Sequence, residues 1–510
     1  MTRFFTNLYI TILVFCTSIW AFSSFFWLIQ YPSAPWALAL STILTITVVI
    51  LLNYNYIKAN YIKFNSKPFA LPLLLAIDLI SYGSIILGVF YISKVATPFA
   101  TPKNLAYAQA LQAFKQGWNP ILYDASNLAI SNSNQLWSQL PRFSISNYYS
   151  LSSISGLNAG IFLNLLLIIA GLACSALAIN KLLPRNLNLV NRYFWRIALT
   201  LIITCNPITL RLASSLEVLP QIYALYIIIL SSGVLISKKK SNIIHWTTIT
   251  LSTIILAGLS YFALLIGTLL AIGIVAYHKL NNSLKISPQV SLAVSEIAIL
   301  GALINFNPYI PKLIDKLGGI NATGISQLGD KLLGLINQQF NTVIPSLFAM
   351  TGTNRQLIYS KLPFVIDNSE IAVLKNPNLP LVTGGLGLWF GGVILIWILG
   401  NSYLYWLTCL KPKRIGEANL EEQMIIKFHH QRNMLIILIY TIFTVFLVFL
   451  GLLTRDIFNL NQLSFWWLVP CSSLIVWLYF DDARLDIARQ VLAVFLIGNC
   501  LLTIWLGLGI

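Results

Sequence analysis

From Asn7 to Ile29 the chain runs about 23 residues without a charged side chain, and stretches of this kind recur to its end. A helix of about 20 apolar residues matches the ~30 Å hydrocarbon thickness of a bilayer. In lipid, every backbone N–H and C=O has to be paired within such a segment or with a neighbour, so helices are the form these runs take. The balance of residues agrees, with 57% hydrophobic, 9% charged and a mean hydropathy of +0.78, against about 25% charged in soluble domains. The expected fold class is an all-α polytopic membrane protein, residues 1–510 forming a single transmembrane domain.

The apolar runs predict about 13 transmembrane helices. The first run is too long for the apolar core of a signal peptide and no small-x-small cleavage site follows it, so it reads as an uncleaved helix. The others fall at 36–54, 69–93, 159–179, 195–209 and 218–236, and as two short helices within 245–277 divided at Gly258-Leu259-Ser260. The last five fall at 290–304, 384–407, 434–453, 465–480 and 491–508. The net charge of +17 is scattered between the apolar runs, which points to membrane topology and away from a nucleic-acid partner. With Arg3 cytoplasmic, the basic clusters at 58–67, 181–196, 238–240, 279–285, 411–432 and 484–489 fall on its side and complete a set of 20 of the 32 Lys and Arg residues. Two long polar loops, 94–158 and 305–383, then face outward.

The first of these loops contains the aromatic-spotted stretch Thr97 to Ser152, with Trp118, Pro120, Tyr123, Trp137, Tyr148 and Tyr149 as anchors. Loops of this length are functional or disordered, and this composition is not that of disorder. Leu105, Ala108, Leu111 and Phe114 recur near helical spacing before Gly117, describing an amphipathic helix over 104–116 on the membrane surface. The second loop offers a similar surface helix over 325–336. Aromatic rings anchor proteins at membrane interfaces and also line sugar clefts, and the sequence leaves both uses open.

On the outward-facing side the acidic groups are Asp124, Asp315, Asp330, Asp367 and Glu370, joined by Glu217 and Asp456. A general base or a divalent-metal ligand on the outer face would come from this set, although a solvated charge is the ordinary role of each; no residue is singled out as a metal ligand. Within the spans, Asp78 and Glu296 suit either an ion pathway or an interhelical hydrogen bond. The six cysteines lie in or beside apolar runs without CxxC spacing and read as small buried apolar residues.

Several short motifs follow one another along the chain: Tyr107 with Gly117-Trp118-Asn119-Pro120, Asn206-Pro207, Asn307-Pro308-Tyr309, Ser346-Leu347-Phe348, Lys361-Leu362-Pro363-Phe364, Gly384-Gly385-Leu386-Gly387, and Trp466-Trp467 with Pro470. This ordered series, from about residue 97 to 475, resembles the integral membrane glycosyltransferases with the GT-C fold. The nearest likeness is to a bacterial branch close to the lipid-sugar-dependent protein mannosyl- and aminoarabinose transferases. The resemblance implies a bacterial inner-membrane enzyme that passes a sugar from a polyprenyl-phosphate carrier to an acceptor on the outer face. It also implies a large first outer loop with a surface helix and a carboxylate near the membrane as base. The acceptor hydroxyl needs that base, and the leaving phosphate needs cations or a divalent metal.

The chain departs from the pattern of that branch at three places. Lys103 stands where an Asp is expected, Ala108 where a His is expected, and Trp466-Trp467 runs into Leu468 without the expected Arg. Asp124, downstream in the same loop, is then the candidate base. Tyr107, Trp118, Arg142, Arg211, Lys312 and Arg355 form the candidate substrate-binding set, the four cations facing a lipid phosphate. The departures open a second reading, a non-catalytic membrane subunit that holds a protein partner or a lipid. A third is a transporter or flippase using Asp78 and Glu296, although the inverted repeats common in transporters are not visible.

Overall fold

The computed structural model describes residues 2–29, 34–60, 141–155, 159–184, 189–204, 218–236, 243–280, 389–406, 460–478 and 483–508. It also describes isolated positions between them, among them Asn206, Pro207, Ala213, Phe364 and Gly387. The described residues form eleven helices and no strand. They are α1 (Thr2–Leu28), α2 (Ala34–Asn60), α3 (Arg142–Ser155), α4 (Ala159–Leu182), α5 (Leu189–Thr204), α6 (Leu219–Leu235), α7 (Ile243–Ala257), α8 (Tyr261–Leu280), α9 (Phe390–Tyr405), α10 (Leu460–Trp477) and α11 (Ala483–Leu508). Four of them are long and apolar enough to cross a membrane, over Phe4–Phe26, Ala34–Leu51, Ala159–Leu182 and Arg484–Leu502. The described chain is that of a helical membrane protein.

Most of the expected helices have counterparts, and the differences have local causes. The break between α7 and α8 falls at Gly258-Leu259-Ser260, as the sequence suggests. The fifth helix begins at Leu189, ahead of the expected Trp195, so Arg192 is helical and not part of a loop. It also stops at Thr204, because Pro207 disfavours helical geometry at Asn206. The larger difference is α3. Residues 142–155 were expected to belong to a surface-facing loop, yet they form a helix with Phe143, Ser144, Ile145, Ser146, Asn147, Tyr148, Ser150 and Leu151 all buried. The expected spans at 69–93, 290–304 and 434–453, the surface helices at 104–116 and 325–336, and Asp78 and Glu296 lie outside the described residues.

The chain divides into two compact units, one of residues 1–181 and 209–323, the other of residues 182–208 and 324–510. In the first unit α1 packs on α2, α3 and α7, and α6 packs on α7 and α8. Small side chains set the α4–α6 seam. A Cβ on Gly171 would sit 3.5 Å from the Ala224 carbonyl oxygen, and Cys174 Sγ lies 3.5 Å from Ser232 Oγ. Close backbone approach of this kind is how helices associate where lipid removes the hydrophobic driving force. Lys181 Nζ donates to the Val234 and Ile236 carbonyls at 2.6 and 2.9 Å, closing the carbonyl end of α6. On α2, Ser41, Thr42, Thr45 and Thr47 return their hydroxyls to carbonyls four residues back, so polar side chains sit in an apolar helix without open donors.

The second unit packs α9, α10, α11 and α5 around aromatic rings. Trp467 stacks on Phe390 at 5.9 Å between centroids, and Trp389 and Phe364 both meet Phe495. Glycines make room for these rings, since a Cβ on Gly392 would overlap Phe364 and one on Gly400 would overlap Trp477. Gly387, at φ 114°, turns the chain into α9 against the Asn499 amide, whose Oδ1 accepts from the Trp389 N–H at 2.8 Å. The four described cysteines, Cys16, Cys174, Cys471 and Cys500, are buried and outside any disulfide, as the sequence suggests.

These contacts separate two glycine positions. Gly387→Ala is expected to cost about 1–3 kcal/mol, because φ 114° is strained for any side chain and the Cβ overlaps Asn499. Gly273→Ala in α8, where an added Cβ meets nothing within 4 Å, is expected to be neutral or stabilising. Thermal unfolding in mild detergent gives the comparison, and equal losses at both positions would contradict the packing described.

Candidate functional site

The densest polar cluster among the described residues lies inside the first unit, around Gln221. Pro220 sits in the first turn of α6, where its missing N–H costs nothing, and the next residue turns inward, wholly buried. Gln221 Oε1 accepts from Ser144 Oγ at 2.8 Å. Its Nε2 donates to Tyr148 Oη at 2.9 Å and to Asn164 Oδ1 at 2.8 Å. Asn164 in turn donates to the Ala213 carbonyl at 3.4 Å. One amide therefore joins α3, α4, α6 and the chain leading into α6. Both its donors are used, as burial in an apolar interior requires.

The other side of α3 meets α1. Asn147 Nδ2 donates to the Phe143 carbonyl at 2.9 Å and to the Cys16 carbonyl at 3.3 Å. Ser150 and Ser23 share a hydroxyl contact at 3.0 Å. At the N-terminal end of α3, the Phe143 N–H donates to the Gly258 carbonyl at 3.3 Å, and its ring meets Trp20 edge-on at 5.7 Å. The α7–α8 break thus supplies a carbonyl to an N–H that has no partner within its own helix.

A second cluster joins motifs far apart in sequence, all within the second unit. At the end of α5, ahead of Asn206-Pro207, Trp467 Nε1 donates to the Ile202 carbonyl at 2.7 Å. Trp467 also stacks on Phe390, while Phe364 and Gly387 pack against Phe495 and Asn499 of α11. Trp477 Nε1 donates to Asn401 Oδ1 at 3.1 Å.

Chemically, the first cluster is neutral. It can hold and orient hydrogen-bonding groups but supplies no base. Asp486, paired with Arg489, is the only acidic side chain among the described residues, and these contain no group of three His, Cys, Asp or Glu side chains able to hold a metal. Of the candidate site residues, Arg142 alone is described. It opens α3, half-buried, and its carbonyl accepts from Ser146 Oγ. Asp124, Tyr107, Trp118, Arg211, Lys312 and Arg355 lie outside the described residues, as do all the acids considered for a base or metal. Sequence reasoning missed Gln221, Asn164 and Ser144, and named Tyr148 only as an aromatic anchor of the loop. Their signals were amides inside apolar runs, at Gln221 and Asn164, and a Ser–Tyr pair at i,i+4 spacing. Comparison with family models, with curated proteins and with solved structures finds no match to this chain.

Gln221→Leu would strand polar groups of Ser144, Tyr148 and Asn164 in an apolar interior, with an expected loss on the order of 3 kcal/mol. Gln221→Glu, protonated in such surroundings, keeps an acceptor and one donor and is expected to lose less. A double-mutant cycle with Asn164→Ala, read by unfolding in detergent, should return a coupling above about 0.5 kcal/mol. Strict additivity would remove Gln221 from the centre of the network.

Proposed function

We propose that this chain is a GT-C-type, glycosyltransferase-like membrane protein that binds a polyprenyl-phosphate-linked sugar at the outer face of a bacterial inner membrane. In this reading the N-terminus is cytoplasmic, about 13 helices span the bilayer, and the loops 94–158 and 305–383 face outward. The observation that carries the reading is the convergence of motifs from the ordered series within one unit. Ile202 ahead of Asn206-Pro207, Phe364, Gly387 and Trp467 share one set of contacts through Phe390, Phe495 and Asn499. These members of the series are thus neighbours in packing as well as in a run of letters.

The chemistry assigns roles to the loop residues. Asp124 accepts the proton of the acceptor hydroxyl. Arg142, Arg211, Lys312 and Arg355 offset the charge of the leaving phosphate, and a divalent metal held by outer-face carboxylates would add to that. Tyr107 and Trp118 present rings to the sugar. A second reading, a non-catalytic subunit that keeps the lipid site and holds a protein partner, is favoured by Lys103 and Ala108 standing where an acid and an imidazole are expected.

Asp124→Asn is expected to lower sugar transfer from a polyprenyl-phosphate donor by about 10²-fold or more while leaving donor binding within a few-fold. Undiminished transfer removes Asp124 from the site. Donor binding without turnover, together with a stoichiometric protein partner after purification in gentle detergent, would select the subunit reading.

A further inference from the structure

The depth at which α3 meets α1 does not suit a helix on a membrane surface. The apolar span of α1 runs from Phe4 to Phe26, so Cys16 stands near its middle. Asn147 of α3 reaches the Cys16 carbonyl, Phe143 meets Trp20, and Ser150 meets Ser23. At 14 residues, α3 is about 21 Å long, short of the ~30 Å needed to cross. A short helix at that depth is tolerated only where protein surrounds it or a polar cavity adjoins it, and the side chains of α3 from Phe143 to Tyr148 are all buried. Spanning-length α4 begins at Ala159, four positions after α3 ends.

Within this arrangement the Asn147 side chain is wholly buried, and its Oδ1 has no hydrogen-bond partner among the described residues. A carboxamide oxygen is a neutral acceptor, so it repels anions. As a single oxygen it also falls short of the six or more that a hard cation requires. What completes it is a hydrogen-bond donor, O–H or N–H, and the O–H is the one that water and a sugar both carry.

We propose that α3 is a re-entrant helix that carries Asn147 Oδ1 to the mid-depth of the α1 span, where it binds a neutral hydroxyl, either that of water or one on the sugar of a lipid-linked ligand. The sugar alternative rests on the function proposed above; the water alternative does not.

The test uses the full chain in lipid nanodiscs, with its six cysteines replaced by alanine and a nitroxide at Ser152 or, separately, at Tyr149. Both labels are expected to collide several-fold more often with molecular oxygen than with a water-soluble nickel chelate, as a label at exposed, apolar Ile43 of α2 should. Nickel collisions that equal or exceed those of oxygen would return α3 to the water surface and overturn the proposal. Wild-type and Asn147→Leu chains are then heated with decaprenyl phosphate or with decaprenyl-phosphate glucose. If a sugar hydroxyl is the donor, the glucose raises the unfolding temperature of the wild type alone. If water is the donor, glucose makes no difference between the chains, and the deuterium modulation of the Tyr149 label in D₂O drops in the variant to the Ile43 level. Equal glucose shifts with unchanged modulation refute the site. Asn147→Ala serves for the same comparison if the leucine variant does not fold.

Discussion

Polar groups held in an apolar interior call for partners, and in the first unit Gln221 meets that need for three side chains at once. Gln221 can satisfy Ser144, Tyr148 and Asn164 together because an amide carries both an acceptor and two donors at the end of a short stem. A serine or threonine would answer one partner, and a leucine none. Without the amide, α3 would be a serine-rich helix with no reason to enter a greasy core. With it, the returning end of the first long loop is tied to α4 and α6. The residues of that loop proposed for chemistry are therefore held, at one end, by a buried network.

The second unit solves its packing without such a network. Its aromatic rings need flat surfaces, and glycines at 392 and 400 provide them by leaving out the Cβ. Its few polar contacts are directed. Trp467 and Trp477 each donate an indole N–H, one to a carbonyl at the end of α5 and one to Asn401. Asn499 caps the first turn of α9 from another helix, which frees that turn from needing a capping residue of its own. Trp467 and the end of α5 thus meet in one directed contact, the indole N–H on the Ile202 carbonyl.

Much of the helical plan was legible in the sequence because length and apolarity answer directly to bilayer thickness. The division at Gly258-Leu259-Ser260 was visible as well, since glycine and serine interrupt a run too long for one span. Helix ends were less legible. The Leu189 start was hidden by Arg192, which looks like a loop residue and is accommodated inside α5, the helix in which Arg196 packs its guanidinium 4.5 Å from the Tyr193 ring centroid. The candidate site was the least legible. Arg142 is the one predicted site residue among those described, while the residues that hold α3 were passed over because amides and serines carry no charge and form no motif.

The sequence by itself determined that this is a helical membrane chain and where prolines and glycines interrupt its apolar runs, because both depend only on neighbours along the chain. Tertiary structure alone decided that 142–155 is an internal helix, that Gln221 is its anchor, and that Trp467 meets Ile202. A polar stretch such as Arg142 to Ser155 has two stable fates, solvation in water or pairing inside protein. Which one it takes depends on donors and acceptors that lie tens or hundreds of residues away.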